Sequence, residues 1–98
     1  MSKVATAAAR AFLARKDFHA ATRVIGPEGY CLHNSLIAWH SPKGIAFNLC
    51  GYVTRTTIDS LNHILAELRY PSRLTVRAGM AYLGADEVPS TGKFYIPG

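Results

Sequence analysis

Two four-residue turns that contain proline and glycine place the strongest constraint on how this chain can fold. They are Gly26-Pro27-Glu28-Gly29 and Ser41-Pro42-Lys43-Gly44. Glycine supplies a positive-φ position in such turns, and proline fixes the φ angle next to it. Because the flanking segments are rich in β-branched and aromatic residues, each turn predicts a chain reversal between strands. We therefore expect three antiparallel strands, over Phe18 to Ile25, Tyr30 to His40 and Ile45 to Cys50.

The pairing predicted for the second and third strands makes both faces of that hairpin apolar. If His40 pairs with Ile45, then Trp39 lies opposite Ala46 on one face, and further apolar residues fill the other. The longer strand is expected to bend or bulge near Asn34-Ser35. An antiparallel sheet with one wet face should alternate apolar and polar residues. We therefore expect both faces to be covered, either within the chain or by another copy, which keeps a homodimer among the alternatives.

The N-terminal segment is predicted to form an amphipathic helix. Ser2 to Lys16 is rich in alanine, Ser2 is available as an N-cap, and the basic residues at the far end suit the helix dipole. The basic, acid-free composition is also typical of an organellar transit peptide, but we favour the helix. No apolar run approaches the roughly 18 residues that a spanning helix needs, so no membrane partner is expected. The apolar stripe of this helix is Val4, Ala8, Ala11 and Phe12, with Leu13 at its edge.

The second predicted helix is the clearest local signal in the sequence. Thr56 or Thr57 can cap it, and Asp59 lies in the first turn, where the helix dipole favours an acid. Tyr70-Pro71 ends it, because a residue before proline avoids the α region. Its apolar residues recur at spacings of three and four. They are Ile58, Leu61, Ile64, Leu65 and Leu68.

A second hairpin is predicted after this helix. It pairs Arg73 to Arg77 with Met80 to Leu83 about Ala78-Gly79, and Lys93 to Ile96 can add a last edge strand after a polar connection. The expected fold is one α+β domain over residues 1–98, with the order α-β-β-β-α-β-β and an optional extra strand. A three-stranded antiparallel meander and the second hairpin then pack with two helices. The predicted inward residues of this hairpin are Leu74, Val76, Ala81 and Leu83, and the outward ones are Arg73, Thr75, Arg77 and Tyr82.

No group of residues in the sequence predicts catalysis, a metal site or a cofactor. Cys31 and His33 are two apart in a predicted strand and would point the same way, but together with His40 and Cys50 they fit no known zinc module. Among six acidic residues only Asp86-Glu87 are neighbours, and neighbours in a loop rarely form an acid/base pair. The usual hydrolase, metalloprotease and phosphate-loop motifs do not occur. We expect a protein that is not an enzyme.

Net charge and the late hairpin point to a binding surface. The formal charge is +5 and the pI is near 9.6, and a positive surface can attract nucleic acid. Guanidinium groups beside an aromatic ring suit a nucleic-acid backbone and its bases, and they also suit a protein interface. The simpler alternative is that the arginines only keep an exposed strand soluble. The candidate contact residues are Arg55, Arg73, Arg77 and Tyr82, followed by Tyr70 and Tyr95.

The start of the second helix is a further candidate. The segment Thr54-Arg55-Thr56-Thr57 places hydroxyl groups and a guanidinium where backbone N–H groups could receive an anion. Plain helix capping is the alternative, and we favour it. Asn62 lies beside the apolar stripe, where we expect its amide to hydrogen-bond a neighbouring loop.

Several of these segments resemble small proteins encoded by tailed bacteriophages. The resemblance rests on Leu32 to Trp39, Phe47 to Tyr52, the Thr54 to Thr57 step and Leu61-Asn62, and it covers Tyr30 to about Leu83. It implies a phage or mobile-element accessory protein in the bacterial host cytoplasm. Small proteins of this kind often act by occupying a host machine, as anti-CRISPR proteins do. The resemblance implies no catalytic residue.

The leading hypothesis is a non-enzymatic phage accessory protein that binds a host protein or ribonucleoprotein and inhibits or redirects it. The alternative is a small basic module that uses the same arginines against the phosphates of a nucleic acid. The two differ in salt dependence, because binding to phosphates weakens steeply as salt rises.

Overall fold

The computed structural model describes residues 3–20, 22–51 and 53–96, which form two helices and nine strands in two antiparallel sheets. This confirms the predicted α+β class, with more strands than expected. The elements are α1 (Lys3–Leu13), β1 (Phe18–Ala20), β2 (Arg23–Gly26), β3 (Gly29–Leu32), β4 (Ser35–Ser41), β5 (Gly44–Asn48), α2 (Arg55–Glu67), β6 (Leu74–Arg77), β7 (Met80–Leu83), β8 (Asp86–Glu87) and β9 (Lys93–Ile96).

The first sheet has six strands in the order β1-β2-β3-β4-β5-β9. The expected three-stranded meander is wrong in number, because two of the predicted strands are hairpins. Phe18 pairs with Ile25, so their segment folds back on itself. His33 and Asn34 have φ angles of 51° and 67°, which makes the expected bend a two-residue turn between β3 and β4. Neither turn contains proline or glycine. The sequence therefore shows no break between the paired strands, and each hairpin was predicted as a single strand.

The two proline turns and the last strand are confirmed. Gly26 pairs with Gly29, Ser41 pairs with Gly44, and β9 adds to the edge of β5 as the predicted last edge strand. Gly29 is required by close packing as well as by its φ of 135°. A Cβ atom there would clash with the carbonyl oxygen of Ala38, so a side chain would force the two strands apart.

Both helices pack on one face of the six-stranded sheet. The ring of Phe12 on α1 stacks on the His40 ring, with 4.5 Å between the ring centroids. It meets the Tyr30 ring edge-on, with 6.1 Å between the centroids. A β-bulge in β4 supports this packing, because the register shifts between Tyr30 and Cys31 and leaves Ile37 as the extra residue. Ile37 is buried on the helix side. The bulge lies two residues after the predicted position, Asn34-Ser35.

Buried Tyr30 connects this sheet to α2 through a chain of hydrogen bonds. Arg23 donates from Nε to the Tyr30 hydroxyl at 3.1 Å and from Nη2 to the Ser60 hydroxyl at 3.3 Å. Ser60 in turn donates to the carbonyl oxygen of Thr56 at 2.8 Å. Burial raises the pKa of Tyr30 above its ordinary value of 10.0, and the charge and hydrogen bond of Arg23 partly oppose this.

The helices differ from the predictions at their ends and on one face. The predicted cap Ser2 lies outside the described residues. Val4 is 40% exposed, because the face of α1 that packs on the protein carries Ala5 and Ala9 instead. Thr54 caps α2, not Thr56 or Thr57, and its hydroxyl accepts from the Thr57 N–H at 3.4 Å. The apolar stripe of α2 is confirmed, since Ile58, Leu61, Ile64 and Leu65 are all buried.

The second sheet has the order β6-β7-β8. The predicted register of the late hairpin is confirmed, with Leu74 opposite Leu83 and Val76 opposite Ala81. Val76 was expected to face inward but is 41% exposed, because it lies beside the turn of the hairpin, at the far end from buried Leu74. The segment predicted as a polar connection contributes β8, which pairs with β7.

The side chain of Asn62 attaches the second sheet to α2. Its Nδ2 group donates to the carbonyl oxygen of Leu74 at 2.9 Å, and its Oδ1 atom accepts from the Leu74 N–H at 2.7 Å. The amide therefore pairs with both backbone groups of Leu74, as a neighbouring strand would. The expectation that Asn62 bonds a neighbouring loop is wrong, because its partner Leu74 is the first residue of strand β6. This pair of bonds sets which face of the second sheet points away from the helix.

We predict that Asn62→Ala lowers the free energy of unfolding by about 2 kcal/mol, because it leaves two buried backbone groups of Leu74 without partners. Urea titration followed by Trp39 fluorescence measures the loss, and amide hydrogen exchange at Leu74 locates it. Thr56→Ala, at an exposed position on the same helix, is the matched control and should change little. Slow exchange at Leu74 in the Asn62 variant would contradict this role.

Candidate interaction surfaces

The late hairpin presents a mixed surface that we call the ribbon face. Strand pairing places its members on one side of the second sheet, since Thr75 lies opposite Tyr82, Arg77 opposite Met80, and Tyr82 opposite Glu87. All are exposed except Tyr82, which is half-buried. The ribbon face consists of Thr75, Arg77, Met80, Tyr82 and Glu87.

Arg77 and Tyr82 form the ordered centre of the ribbon face. The Arg77 guanidinium carbon lies 5.1 Å from the centroid of the Tyr82 ring, in a cation–π contact. Met80 beside them is 42% exposed, and Glu87 adds a negative charge on the same face. An aromatic ring, an arginine and a methionine together are residue types enriched at protein interfaces. The carboxylate of Glu87 does not suit a surface that binds only phosphates.

Arg55 does not join this surface. It lines a groove of about 350 Å³ between the start of α2 and the side of the ribbon that carries Val76. Residues 75 and 77 point away from the side of Val76, because successive side chains of a strand alternate. Arg55 and Arg77 therefore serve different faces. The residues lining the groove are Val53, Arg55, Ile58, Asp59, Asn62 and Val76.

Arg73 and Tyr70 lie in the segment between α2 and β6. Arg73 is exposed, and its carbonyl oxygen accepts from the Gly84 N–H at 3.2 Å. Tyr70 is half-buried against the hydrophobic core, and its N–H donates to the Leu65 carbonyl at the end of α2. The six predicted contact residues thus do not form one patch.

Tyr95 lies on the other sheet, on the face opposite the helices. There it pairs with Ala46 on β5, and Ala46 pairs on its other side with Trp39 on β4. Cover within the chain is incomplete here, because Val24 is 40% exposed and the Trp39 and Tyr95 side chains are half-buried. The alternative expectation, cover by another copy, stays a prediction. We call this side of the sheet the outer face. Its apolar and aromatic members are Val24, Cys31, Leu36, Trp39, Ala46 and Tyr95.

Two lysines that sequence reasoning missed flank Tyr95. The Nζ atoms of Lys43 and Lys93 lie 5.6 Å and 5.9 Å from the centroid of the Tyr95 ring. Lys93 could have been found from the sequence, because it is two residues before Tyr95 in the predicted last strand and so shares its face. Lys43 could not, since its approach depends on β9 joining the edge of β5.

The threonines at the start of α2 line a groove of about 370 Å³ with Leu32, His33, Ser35 and Ile37. Thr54 and Thr57 hydrogen-bond each other as a helix cap, and the charged Arg55 lines the other groove. The structure thus agrees with the capping interpretation.

The cysteines and histidines are not assembled into a reactive or metal-binding group. Across residues 3–20, 22–51 and 53–96, no three ligand-type side chains lie close enough together to hold a metal ion. His33 lies in a turn, so the prediction that it shares a strand face with Cys31 is wrong. Cys50 has a φ of 56°, and its thiol donates to the Leu36 carbonyl at 3.3 Å.

Burial raises the pKa of both thiols. For Cys31 the nearby carboxylate of Glu28 and the Cys50 thiol add smaller effects in the same direction, which further raise its pKa. For Cys50 burial is the cause of the raised pKa. A nucleophilic cysteine instead needs a lowered pKa to form its thiolate at neutral pH. The two thiols therefore have the character of structural cysteines.

Fold and surfaces define a small α+β protein whose most distinctive features are half-buried aromatic rings beside exposed basic side chains. The chain belongs to the Kyanoviridae Gp96 protein family, whose model matches residues 1–96. It is a tailed-phage protein of the cyanophage family Kyanoviridae, which confirms the phage origin implied by the resemblance. No curated protein and no solved structure gives a significant match. Neither described helix is long and apolar enough to cross a membrane.

We predict that the alkylation rate of Cys50 by iodoacetamide, measured in a Cys31→Ser background, rises with pH through a midpoint above 9.0. The ordinary pKa of a thiol is 9.0, and burial disfavours the thiolate in the folded protein. The same variant in urea is the control and should titrate near the ordinary value. A midpoint in the folded protein well below 9.0 would indicate an activated nucleophile and contradict the structural interpretation.

Proposed function

We propose that this phage accessory protein acts without catalysis, by docking its ribbon face on a host protein or ribonucleoprotein. In the proposal, docking inhibits or redirects the host machine, as an anti-CRISPR protein does. The observation that supports it most directly is the Arg77–Tyr82 stack on an open face that also carries exposed Met80. Membership of a phage family supports the accessory role.

The stack suits an interface hot spot for an energetic reason. Long side chains such as arginine lose rotamer freedom when a partner binds, and each immobilised chain costs roughly 0.5–1.5 kcal/mol. Arg77 is already held against the Tyr82 ring, so part of that entropy is lost before binding. Tyrosine and arginine are also the residue types that dominate binding energy in interfaces.

The alternative proposal is a nucleic-acid-binding module that uses the predicted arginines. Glu87 shares the face of Arg77, and Arg55 belongs to a groove on the other side of the ribbon. The arginines therefore do not form one continuous positive track. This distribution favours a protein partner for the ribbon face. A phosphate-binding surface would lose affinity steeply with salt, whereas an interface with an apolar centre would lose less.

We expect the tagged protein to capture one host protein or ribonucleoprotein from lysate in a form that survives nuclease treatment and moderate salt. Tyr82→Ala should weaken this binding by about 2 kcal/mol, or roughly 30-fold, if Tyr82 is a hot spot. Arg77→Glu should weaken it at least as much. Binding constants can be measured by titration once mass spectrometry has identified the partner.

Arg55→Glu is the matched control for Arg77→Glu, because it makes the same charge change on the opposite side of the ribbon. An acid at the start of α2 is compatible with the helix dipole, so the fold should tolerate it. Binding by the Arg55 variant should equal that of the natural protein. Equal loss in both variants, or recovery of nucleic acid alone, would overturn the proposal in favour of the nucleic-acid module.

A further inference from the structure

We propose that the outer face of the six-stranded sheet binds single-stranded nucleic acid. Tyr95 and Trp39 would stack on bases, and Lys43 and Lys93 would contact the neighbouring phosphates. This site is separate from the ribbon face and does not depend on the function proposed for it.

The two aromatic residues occupy one row across the sheet. Trp39 on β4 and Tyr95 on β9 each pair with Ala46 on the strand between them. Adjacent strands are roughly 4.8 Å apart, so the two rings arise from backbones about 10 Å apart. Because the side chain of Ala46 is small, the two rings project further from the sheet than the residue between them. Such a row of rings resembles a stacking platform, which tolerates any base because every base has an aromatic face.

The two lysines supply positive charge at the Tyr95 end of this row. Both are exposed, and their ammonium groups lie within 6 Å of the centroid of the same Tyr95 ring. Lysine carries a compact charge on a flexible stem, so each ammonium can move from the ring towards a phosphate as a base arrives. The cation–π contacts hold the charges at the stacking position until then.

The three strands at this end of the sheet, β4, β5 and β9, contain no acidic residue. Asp59 and Glu67 belong to α2, which packs on the opposite face. Glu28 affects the pKa of Cys31 on the outer face, but it lies at the β2–β3 turn, three strands from β9 in the sheet order. The charge around Tyr95 is therefore complementary to a polyanion. A backbone that carries bases matches both the rings and the lysines.

The test is a titration of the full chain with oligothymidylate, followed by the fluorescence of Trp39, which is the single tryptophan of the sequence. We expect quenching, because a base stacked on the indole alters its emission. Two neutralised phosphates predict a plot of log affinity against log salt with a slope of roughly −1.4. Tyr95→Ala should weaken binding roughly 5- to 100-fold, and Tyr95→Phe should retain it, because the stacking ring is kept.

Charge-matched variants separate the site from a general effect of net charge. Lys43→Glu and Lys93→Glu should each weaken binding and flatten the salt slope. Lys3→Glu makes the same charge change at the start of α1 and should have little effect. Arg77→Glu should also bind normally, so failure of the ribbon-face proposal and failure of this one are distinguishable. These surface variants keep the test decisive if Tyr95→Ala does not fold.

Three results would overturn the proposal. The first is the absence of quenching at low salt with both oligothymidylate and oligouridylate. The second is equal weakening by Lys3→Glu and Lys93→Glu, which would indicate nonspecific attraction. The third is a dimer in solution that Tyr95→Ala dissociates while no oligonucleotide binds, which would make the outer face a contact between copies of the chain.

Discussion

The paired hydrogen bonds between the Asn62 amide and the backbone of Leu74 are the constraint on which the presentation of the ribbon face depends. They let a helix side chain take the place of a strand partner, so the second sheet attaches to α2 without joining the six-stranded sheet. With Leu74 fixed and buried, strand alternation turns Thr75 and Arg77 away from the helix. The outward direction of the Arg77–Tyr82 contact follows from this attachment together with the burial of Ala81 in the common core.

The two sheets consequently offer different chemistry. The ribbon face combines an arginine, a tyrosine, a methionine and a carboxylate, a mixture that suits a protein partner. The outer face of the larger sheet carries aromatic residues in one row and two lysines around Tyr95. The helices pack against only one face of the larger sheet, and its outer face is the other one.

Local signals in the sequence were enough to predict the α+β class, both proline turns, the α2 stripe and the register of the late hairpin. They failed where a turn is made without proline or glycine, as at His33 and Asn34, two residue types that adopt positive φ angles more readily than most. Local signals also failed to predict the cation–π contacts on the outer face, because Tyr95 meets Lys43 only when β9 pairs with β5. Arg55 and Arg77 were predicted to act together, and their separation on two sides of one ribbon is tertiary information that a linear pattern does not carry.

The most direct test of the central claim is amide hydrogen exchange of the full chain, measured free and in complex with its purified host partner. If the ribbon face is the docking surface, exchange slows at β6, β7 and β8 on binding, while β1 and the helix α1 exchange as in the free protein. Protection confined to other elements, with β6 to β8 exchanging at their free rates in the complex, would contradict the account.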